Sequence, residues 1–407
     1  MAHDPGRPSD LRSLMLVCKY WQEIVQSTQA LWTSVILVRP QSFLQTDVLR
    51  DRLRRSGNLP LDVKLLCRCV PERVMLPVIE ALVDHLPRLR SLDILHQHRQ
   101  TLFAAVDRLG VMQGAGVRRP APALQTLRLD WHASGGEQLM SGHGHGVEGG
   151  ASQLGCPALT ELQLPVAVIF TDRSVLSRLT VLRFHAAPTH TSSLPEESIG
   201  ELLDTLEACG NLRVFSWLGP HLQPIGQPHY FHNGRVVSMP RLRSVEVTTP
   251  GPGIDILYYL HAPRLQDLHL NGSMIWGRSK GLLHDWAQGQ DRVLQMLASR
   301  SPEISRIFLY KIPLYETSHV FKIIFTQFKE LRHLSVDTSE LTEIPGRVSA
   351  VGRKVVCEKL QALELRQCYW VSKRSLKAFL KEGVKLGCPM PHVRVEDCSF
   401  TWAELFE

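Results

Sequence analysis

A short apolar phrase of the form Leu-x-x-Leu-x-Leu returns along the chain from residue 89 onward, with Ile, Val, Phe or Trp sometimes replacing a Leu. Alternating apolar and polar residues within the phrase predict a strand whose apolar side chains share one face, as in Leu127 and Leu129. The copies start at Leu89, Leu124, Leu159, Leu179, Leu212, Leu242, Leu265, Ile304, Leu331 and Leu360, with a degenerate copy at Met390. Their spacing of 20 to 39 residues predicts one structural unit per copy.

Helical patterns fill several of the intervals between these phrases. Apolar residues recur at steps of three and four in residues 74–86, 197–209, 291–299 and 319–328. One strand and one helix per repeat build an α/β solenoid, in which outer helices cover a curved parallel sheet. The predicted fold of residues 86–407 is therefore an irregular leucine-rich repeat solenoid.

The outward positions of the predicted strands form a polar grid that a partner protein can contact. The grid comprises Asp93, Arg128, Asp130, Arg183, His185, Asp267, His269, Arg306, Phe308, Tyr310, His333, Asp337, Glu364 and Arg366. Aromatic side chains beside arginine are typical of interface anchors. The predicted substrate-binding residues are Arg306, Phe308, Tyr310, His333, Asp337 and Arg366. The alternative is that the insertion 271–301, which contains Trp276 and Trp286, folds over this surface and covers it.

The stretch from residue 11 to residue 35 predicts an amphipathic helix followed by a second apolar segment. The helical stripe comprises Leu11, Leu14, Val17, Trp21 and Ile24, which recur at steps of three and four. Ser9 or Asp10 is placed to cap this helix. One side of the stripe can pack on the second segment, around Trp32, and the other side is left for another protein. The alternative is that the helix only caps the core of the domain that follows.

The same residues resemble the second half of an F-box, the helical module by which substrate receptors dock onto the adaptor of SCF-type ubiquitin ligases. The matching positions are Leu11, Leu14, Val17, Cys18, Lys19, Trp21, Ile24, Leu31 and Trp32. The phrase from Leu53 to Leu65 also resembles the segment that follows the F-box in fungal F-box proteins. The first F-box helix, with its Leu-Pro-x-Glu-Ile-Leu motif, has no counterpart in MAHDPGRPSD, so the resemblance is to an N-terminally truncated F-box.

The resemblance implies that this chain binds two proteins. The first is a Skp-type adaptor of a cullin-RING ligase, and the implied contact residues are Leu11, Leu14, Val17, Trp21, Ile24 and Trp32. The second is an unknown protein substrate, bound by the repeats. The predicted domains are a partial F-box-like segment at 1–38, a linker and capping region at 39–85, and repeats at 86–407. The alternative function is a leucine-rich repeat interaction scaffold that is not assembled into a ligase.

Composition narrows the remaining function classes. The 407-residue chain is 44% hydrophobic, enough for a large core, and its net charge of +7 is too small and dispersed to indicate nucleic-acid binding. No apolar run approaches the ~18 residues of a membrane span. Nine scattered cysteines favour a reducing compartment, so the predicted location is cytoplasmic or nuclear.

No recognised motif predicts catalysis, a cofactor or a metal site. The chain has no nucleophile elbow, phosphate loop or His-Glu-x-x-His motif, so we expect no enzyme, although a site of unfamiliar type is the open alternative. His143 and His145 lie in a glycine-rich stretch that does not favour rigid metal coordination. Cys368 and Cys398 each stand three residues after the last apolar position of a phrase, where the repeat pattern predicts a structural role in the turn.

Overall fold

The computed structural model describes the chain in fourteen segments that belong to two compact units, Met1–Thr189 and His190–Glu407. The described residues are 9–38, 44–67, 70–109, 120–131, 155–165, 173–185, 196–218, 235–248, 254–272, 291–312, 320–337, 357–369, 371–385 and 388–400. The histidine-rich stretch and most of the insertion 271–301 lie outside them.

The first unit starts with two short helices and continues into strands joined by helices. Its helices are α1 Ser9–Met15, α2 Lys19–Ser27, α3 Leu44–Arg55, α4 Glu72–Val83, α5 Arg99–Leu109 and α6 Arg173–Leu176. Its strands are β1 Ser34–Val38, β2 Leu61–Cys67, β3 Leu89–His96, β4 Thr126–Trp131, β5 Glu161–Pro165 and β6 Val181–His185. The strands form a parallel sheet in the order β1-β2-β3-β4-β5-β6. Each strand lies beside the next in sequence, which is compatible with a solenoid.

The N-terminal apolar stripe lies on two helices, so the prediction of one continuous helix is wrong. Between α1 and α2 the chain turns at Leu16 and Val17, whose amides donate to the carbonyls of Ser13 (3.1 Å) and Leu14 (3.2 Å). Cys18 is extended, with φ −165° and ψ 169°, before α2 begins. The run from Leu14 to Val17 is apolar throughout, and four consecutive apolar residues cannot all lie on one helix face.

The parallel sheet begins within the N-terminal segment itself. Strand β1 pairs with β2 from Ser34 opposite Asp62 to Val38 opposite Leu66, and β2 pairs in turn with β3. Val35 is fully buried in this sheet. Residues 34–38 and 61–67 were assigned from sequence to the F-box-like segment and the linker, and both are strands of the same parallel sheet as β3 to β6.

In its described residues, the second unit contributes seven strands to the large parallel sheet. The sheet order is β7 Val214–Leu218, β9 Ser244–Thr248, β11 Asp267–Asn271, β12 Arg306–Tyr310, β13 His333–Asp337, β14 Ala362–Arg366 and β15 His392–Glu396. Its helices are α7 Glu196–Ala208, α8 at residues 291–300, α9 Val320–Gln327 and α10 Lys373–Lys385. A 3-10 helix, Ile254–Tyr259, precedes β11, and the short strands β8 Val237–Ser238 and β10 Leu260–His261 pair with each other. The connections are therefore more varied than one helix per strand.

The leucine phrases and the helical segments between them are confirmed as structural elements. The first residue of each of the ten full phrases is at most 1% exposed, and each phrase leads into a strand. Met390, which starts the degenerate copy, is 49% exposed, yet β15 still pairs with β14. The four predicted helices correspond to α4, α7, α8 and α9.

Inward side chains of the second unit align in a continuous apolar row. Strand register places Val245, Leu268, Ile307, Leu334, Leu363 and Val393 side by side. All are at most 4% exposed. Each side chain of this row is aligned only with those on the two adjacent strands. A substitution in one strand should therefore lower the stability of the adjacent strands first.

Candidate functional site

The turn between α1 and α2 carries a cluster of exposed apolar side chains. Leu16 is 85% exposed, Val17 64%, Tyr20 68% and Trp21 42%. Tyr20 and Trp21 lie in the first turn of α2, which directly follows the turn that carries Leu16 and Val17. Contiguous exposed apolar side chains of this size mark interaction sites. These four residues are called the N-terminal apolar patch below.

The six residues implied as adaptor contacts divide by exposure into three groups. Val17 and Trp21 are exposed. Leu11, Leu14 and Ile24 are half-buried. Trp32 is only 6% exposed, which leaves almost none of its surface for a partner.

Sequence analysis missed Leu16 and Tyr20, the two most exposed members of the patch. The single-helix assumption placed both residues off the apolar stripe. The signal that could have found them is the apolar run from Leu14 to Val17, because such a run either breaks the helix or leaves a side chain exposed.

Trp32 contacts both the second N-terminal helix, α2, and the following helix α3. Its indole Nε1 donates to the carbonyl of Val25 at the end of α2 (2.7 Å), and Val25 is only 1% exposed. The guanidinium carbon of Arg55, in the last turn of α3, lies 4.8 Å from the centre of the Trp32 ring, at a distance suited to a cation–π interaction. The inner side of the N-terminal segment is therefore held by specific contacts, and the patch lies on its outer surface.

Gly57 permits a close approach between the turn after α3 and the N-terminal segment. Its φ is +56°, and a Cβ at this position would lie 2.5 Å from Oε1 of Gln29. We expect Gly57→Ala to lower the free energy of unfolding by about 1–2 kcal/mol, because alanine is strained in the left-handed region and Gln29 must also move. Urea denaturation of the full chain, followed by circular dichroism, measures the loss.

Gly210 supplies the matched control for this substitution. A Cβ built on Gly210 meets nothing within 4 Å, and its φ lies outside the left-handed region. Gly210→Ala is expected to change stability by no more than about 1 kcal/mol, in the stabilising direction. Equal losses in the two variants would contradict a specific role for the backbone at Gly57.

A second candidate surface lies on the side of the second-unit sheet opposite the buried leucines. Its centre is a column of rings on β11, β12 and β13. The His269 and Phe308 rings stack with centroids 4.2 Å apart and planes 8° apart. The Phe308 and His333 rings are 5.3 Å apart and tilted by 35°. Burial lowers the pKa of His269, against the opposing effect of Glu246 and Asp267, and this favours its neutral form at pH 7.

Charged side chains flank this ring column and pair with one another. Arg306 forms a two-point ion pair with Asp267 across β12 and β11, and its second contact is 2.7 Å. Arg366 lies 3.6 Å from Glu364 and 3.2 Å from Glu396. These pairs are partly exposed, so their role is to orient the guanidinium groups more than to stabilise the fold.

The structure brings the six predicted substrate-binding residues onto three neighbouring strands. Arg306, Phe308 and Tyr310 lie on β12, His333 and Asp337 on β13, and Arg366 on β14. Tyr310 lies opposite Asp337 and Asp337 opposite Arg366 in the strand register. Tyr310 is 39% exposed, and Lys311 places its ammonium 4.9 Å from the Tyr310 ring centre. Whether these residues bind a substrate stays a prediction.

Two further residues belong to this surface by contact. His269 stacks on Phe308, and Glu364 lies near both His333 (3.9 Å) and Arg366. Strand alternation had placed both on the outward grid, but only the strand register identified their neighbours. The surface formed by these two and the six predicted residues is called the second-unit open face.

The basic run on α3 is compensated within the helix. Arg50 pairs with Asp47 (3.1 Å), and Arg54 and Arg55 both pair with Asp51 (2.6 and 2.7 Å). These exposed or partly exposed pairs join residues three or four positions apart on one helix.

Comparison with known protein families identifies the N-terminal segment. An F-box-like domain matches residues 7–38, which contain α1, α2, the 3-10 helix Gln29–Trp32 and β1. The N-terminal apolar patch therefore lies on the F-box-like domain. No curated protein matches the chain. Among the described residues, no helix combines the length and the apolar character needed to cross a membrane.

Proposed function

We propose, from the F-box-like domain at residues 7–38, that this protein is the substrate-recognition subunit of an SCF-type ubiquitin ligase. The F-box-like helices bind the Skp-type adaptor, and a leucine-rich repeat solenoid binds a protein substrate. The chain resembles fungal F-box proteins, contributes binding in place of catalysis, and acts in the cytoplasm or the nucleus. The observation that carries the proposal is the N-terminal apolar patch, because it lies on the F-box-like helices.

The patch provides the energy for adaptor docking. Transferring a fully exposed Leu- or Val-sized side chain out of water contributes roughly 1.5–3 kcal/mol. Aromatic residues such as Tyr20 and Trp21 are frequent hot spots in protein interfaces. Leu16 and Val17 add aliphatic surface beside them. A contact surface of this composition supports specific association with another protein.

The two sides of the F-box-like domain have separate roles in this proposal. Val25 and Trp32 are buried, whereas Val17 and Trp21 are exposed. Adaptor docking therefore does not require the domain to detach from the sheet. The membership of β1 in the sheet is also the observation that favours the alternative, a leucine-rich repeat scaffold that uses this segment only as a cap.

Several features of the strands support leucine-rich repeats as the solenoid type. Parallel strands follow one another in chain order, and each carries inward leucines or equivalent apolar residues. Lys311, Gln367 and Asp397, which directly follow β12, β14 and β15, all have φ between 49° and 53°. A shared left-handed turn after equivalent strands is expected when successive repeats use the same backbone geometry.

The second-unit open face is the proposed substrate surface. Tyr310 is 39% exposed, and the side chains of Arg306 and Arg366 are 53% and 40% exposed. Arginine and aromatic groups dominate the energetics of many protein interfaces. The stacked rings of His269 and Phe308 restrict the side chains around them, which lowers the entropic cost of ordering this surface on binding.

The test is binding of the purified full chain to a Skp-type adaptor, measured by isothermal titration calorimetry. We expect direct binding, and we expect Trp21→Ala and Val17→Asp each to weaken it at least about tenfold, or about 1.4 kcal/mol. Both side chains are exposed, so neither change should unfold the domain.

Val384→Asp is the matched control for this experiment. Val384 lies on α10 and is 56% exposed, close to the 64% of Val17. Its substitution changes charge and hydrophobicity equally but leaves the patch intact, so adaptor affinity should not change. Absence of adaptor binding by the unmodified chain would reject the ligase function and favour the scaffold. Equal losses in Val384→Asp and Val17→Asp would show that the patch is not the docking surface.

A further inference from the structure

Two cysteines occupy equivalent positions at the ends of neighbouring strands. Strands β14 and β15 pair in register from Ala362 opposite His392 to Arg366 opposite Glu396. Each strand is followed by one residue in the left-handed region and then by a cysteine, Cys368 or Cys398.

The backbone after both strands has the same conformation. The φ of Gln367 is 53° and that of Asp397 is 52°. The amide of Gln367 donates to the carbonyl of Glu396 at 3.0 Å, which extends the pairing of the two strands into the turn. Neighbouring strands lie about 4.8 Å apart, and disulfides typically join Cα atoms separated by about 4.4–6.8 Å. The strand spacing therefore suits a disulfide between the two turns.

The side chains of both cysteines lie against carbonyl oxygens of adjacent residues of β14, that of Arg366 for Cys368 and that of Leu365 for Cys398. The Cys368 sulfur lies 3.2 Å from the carbonyl oxygen of Arg366, and the Cys398 sulfur lies 3.3 Å from that of Glu396. Each thiol also lies 3.6 Å from a carbonyl oxygen of the preceding strand, that of Val336 or Leu365. The Cys368 thiol is the side-chain hydrogen-bond donor to the Cys398 sulfur.

We propose that Cys368 and Cys398 form a reversible disulfide that joins the turns after β14 and β15, with Cys398 as the thiol that an oxidant reaches first. Cys398 is partly exposed, whereas Cys368 is fully buried. An external oxidant therefore meets Cys398, and Cys368 completes the bond from inside the fold. This inference does not depend on the proposed ligase function.

The electrostatic surroundings favour reaction at Cys398. The hydrogen bond from Cys368 lowers the pKa of Cys398 to about 7, although burial opposes the shift. Burial alone raises the pKa of Cys67, Cys156 and Cys209 to about 12, which keeps these three as unreactive thiols. A thiolate at neutral pH next to a second thiol is the arrangement that favours disulfide exchange.

The oxidant in this scheme is a low-molecular-weight disulfide. The Cys398 thiolate attacks one sulfur of the oxidant, forms a mixed disulfide, and releases one small thiolate. Cys368 then gives its proton to solvent, and its sulfur attacks the sulfur of Cys398 and expels the second small thiolate. The oxidant takes up two electrons and becomes two thiols, and the protein loses two thiol hydrogens.

The disulfide would fix the last two strands of the described array at the edge of the second-unit open face. Cys368 is two residues after Arg366, and Cys398 is two residues after Glu396. The side chains of Arg366 and Glu396 form an ion pair on that face, 3.2 Å apart. Oxidation would thus restrain a part of the surface that displays Arg366.

The test treats the full chain with oxidised glutathione, blocks remaining thiols by alkylation, and maps the peptides by mass spectrometry. We expect a cross-link between Cys368 and Cys398 that is released by dithiothreitol. Cys368→Ser should leave glutathione attached to Cys398, and Cys398→Ser should leave Cys368 unmodified. Cys388→Ser, which removes a buried cysteine between the two in sequence, should retain the cross-link.

The deciding measurement is made on the unmodified chain, in which the cross-linked peptide is identified. A variant that misfolds therefore does not affect the conclusion. Its absence, or glutathione that persists on Cys398 in the unmodified chain, would overturn the proposal. The rate of reaction at Cys398 should reach half its limiting value near pH 7. A midpoint near the ordinary thiol value of 9.0 would contradict the preferred attack by Cys398.

Discussion

Replacement of Trp32 by alanine is expected to reduce the stability of the F-box-like domain by about 3–5 kcal/mol, the usual cost of truncating a buried tryptophan. Trp32 is 6% exposed and donates to the carbonyl of Val25 at 2.7 Å. Its loss opens a cavity, leaves that carbonyl without its indole donor, and removes the ring under Arg55. Native-state hydrogen exchange at the amides of α2 and β1 measures the change in opening free energy.

Trp21→Ala makes the same chemical change at an exposed site. Trp21 is 42% exposed, so its truncation is expected to cost less than about 1 kcal/mol in folding while it weakens adaptor binding. The two substitutions are thus expected to differ in effect: Trp32→Ala lowers the stability of the domain, and Trp21→Ala lowers its affinity for the adaptor. A larger loss of stability for Trp21→Ala than for Trp32→Ala would reverse the assigned roles.

Leu334→Ala is expected to lower the free energy of unfolding of the second unit by about 2–5 kcal/mol. Leu334 is fully buried and lies between Ile307 and Leu363 in the inward row. The substitution loses the favourable free energy of burying the removed methyl groups. It also leaves a cavity that the neighbouring strands can fill only in part. Urea denaturation gives the total loss. Hydrogen exchange should show the greatest loss of protection in β12, β13 and β14, because β13 pairs with β12 on one side and β14 on the other.

Leu16→Ala is the control for the leucine truncation. Leu16 is 85% exposed, so the same removal of atoms creates no cavity and should change stability by no more than about 0.5 kcal/mol. Leu268→Ala, at another fully buried position of the inward row, should resemble Leu334→Ala. A Leu268→Ala loss close to that of Leu16→Ala would contradict the assignment of the row as core.

The strands that follow the leucine phrases, and the helices α4, α7, α8 and α9, could be predicted because local pattern and burial agree in them. In LQTLRL, for example, alternation alone identifies Leu127 and Leu129 as inward, and both are at most 1% exposed. The 3-10 helix at Ile254–Tyr259 and the paired strands β8 and β10 were not predicted. These segments are too short to show a helical or strand-like apolar periodicity. Contacts with residues distant in sequence therefore determine their conformation.

The candidate surfaces were predicted less completely than the fold. Trp32 and Trp21 both match the F-box pattern, and sequence spacing treated them alike. The structure separates them because the chain turns at Leu16 and Val17, which directs Trp21 outward, while the 3-10 helix directs Trp32 toward Val25. The solvent exposure of each tryptophan depends on how the chain folds in three dimensions, and the spacing of residues in the sequence does not give this information.

The sequence by itself determined the period of the strands, the inward leucines and the resemblance of residues 11–35 to an F-box, since each depends on residue type at short spacing. The tertiary structure alone decided which side chains share a surface. It brought Phe308 between His269 and His333, joined β1 to the sheet, and aligned the turns that carry Cys368 and Cys398. These contacts join residues about 25 to 40 positions apart in the chain, and only strand register can align residues over such separations.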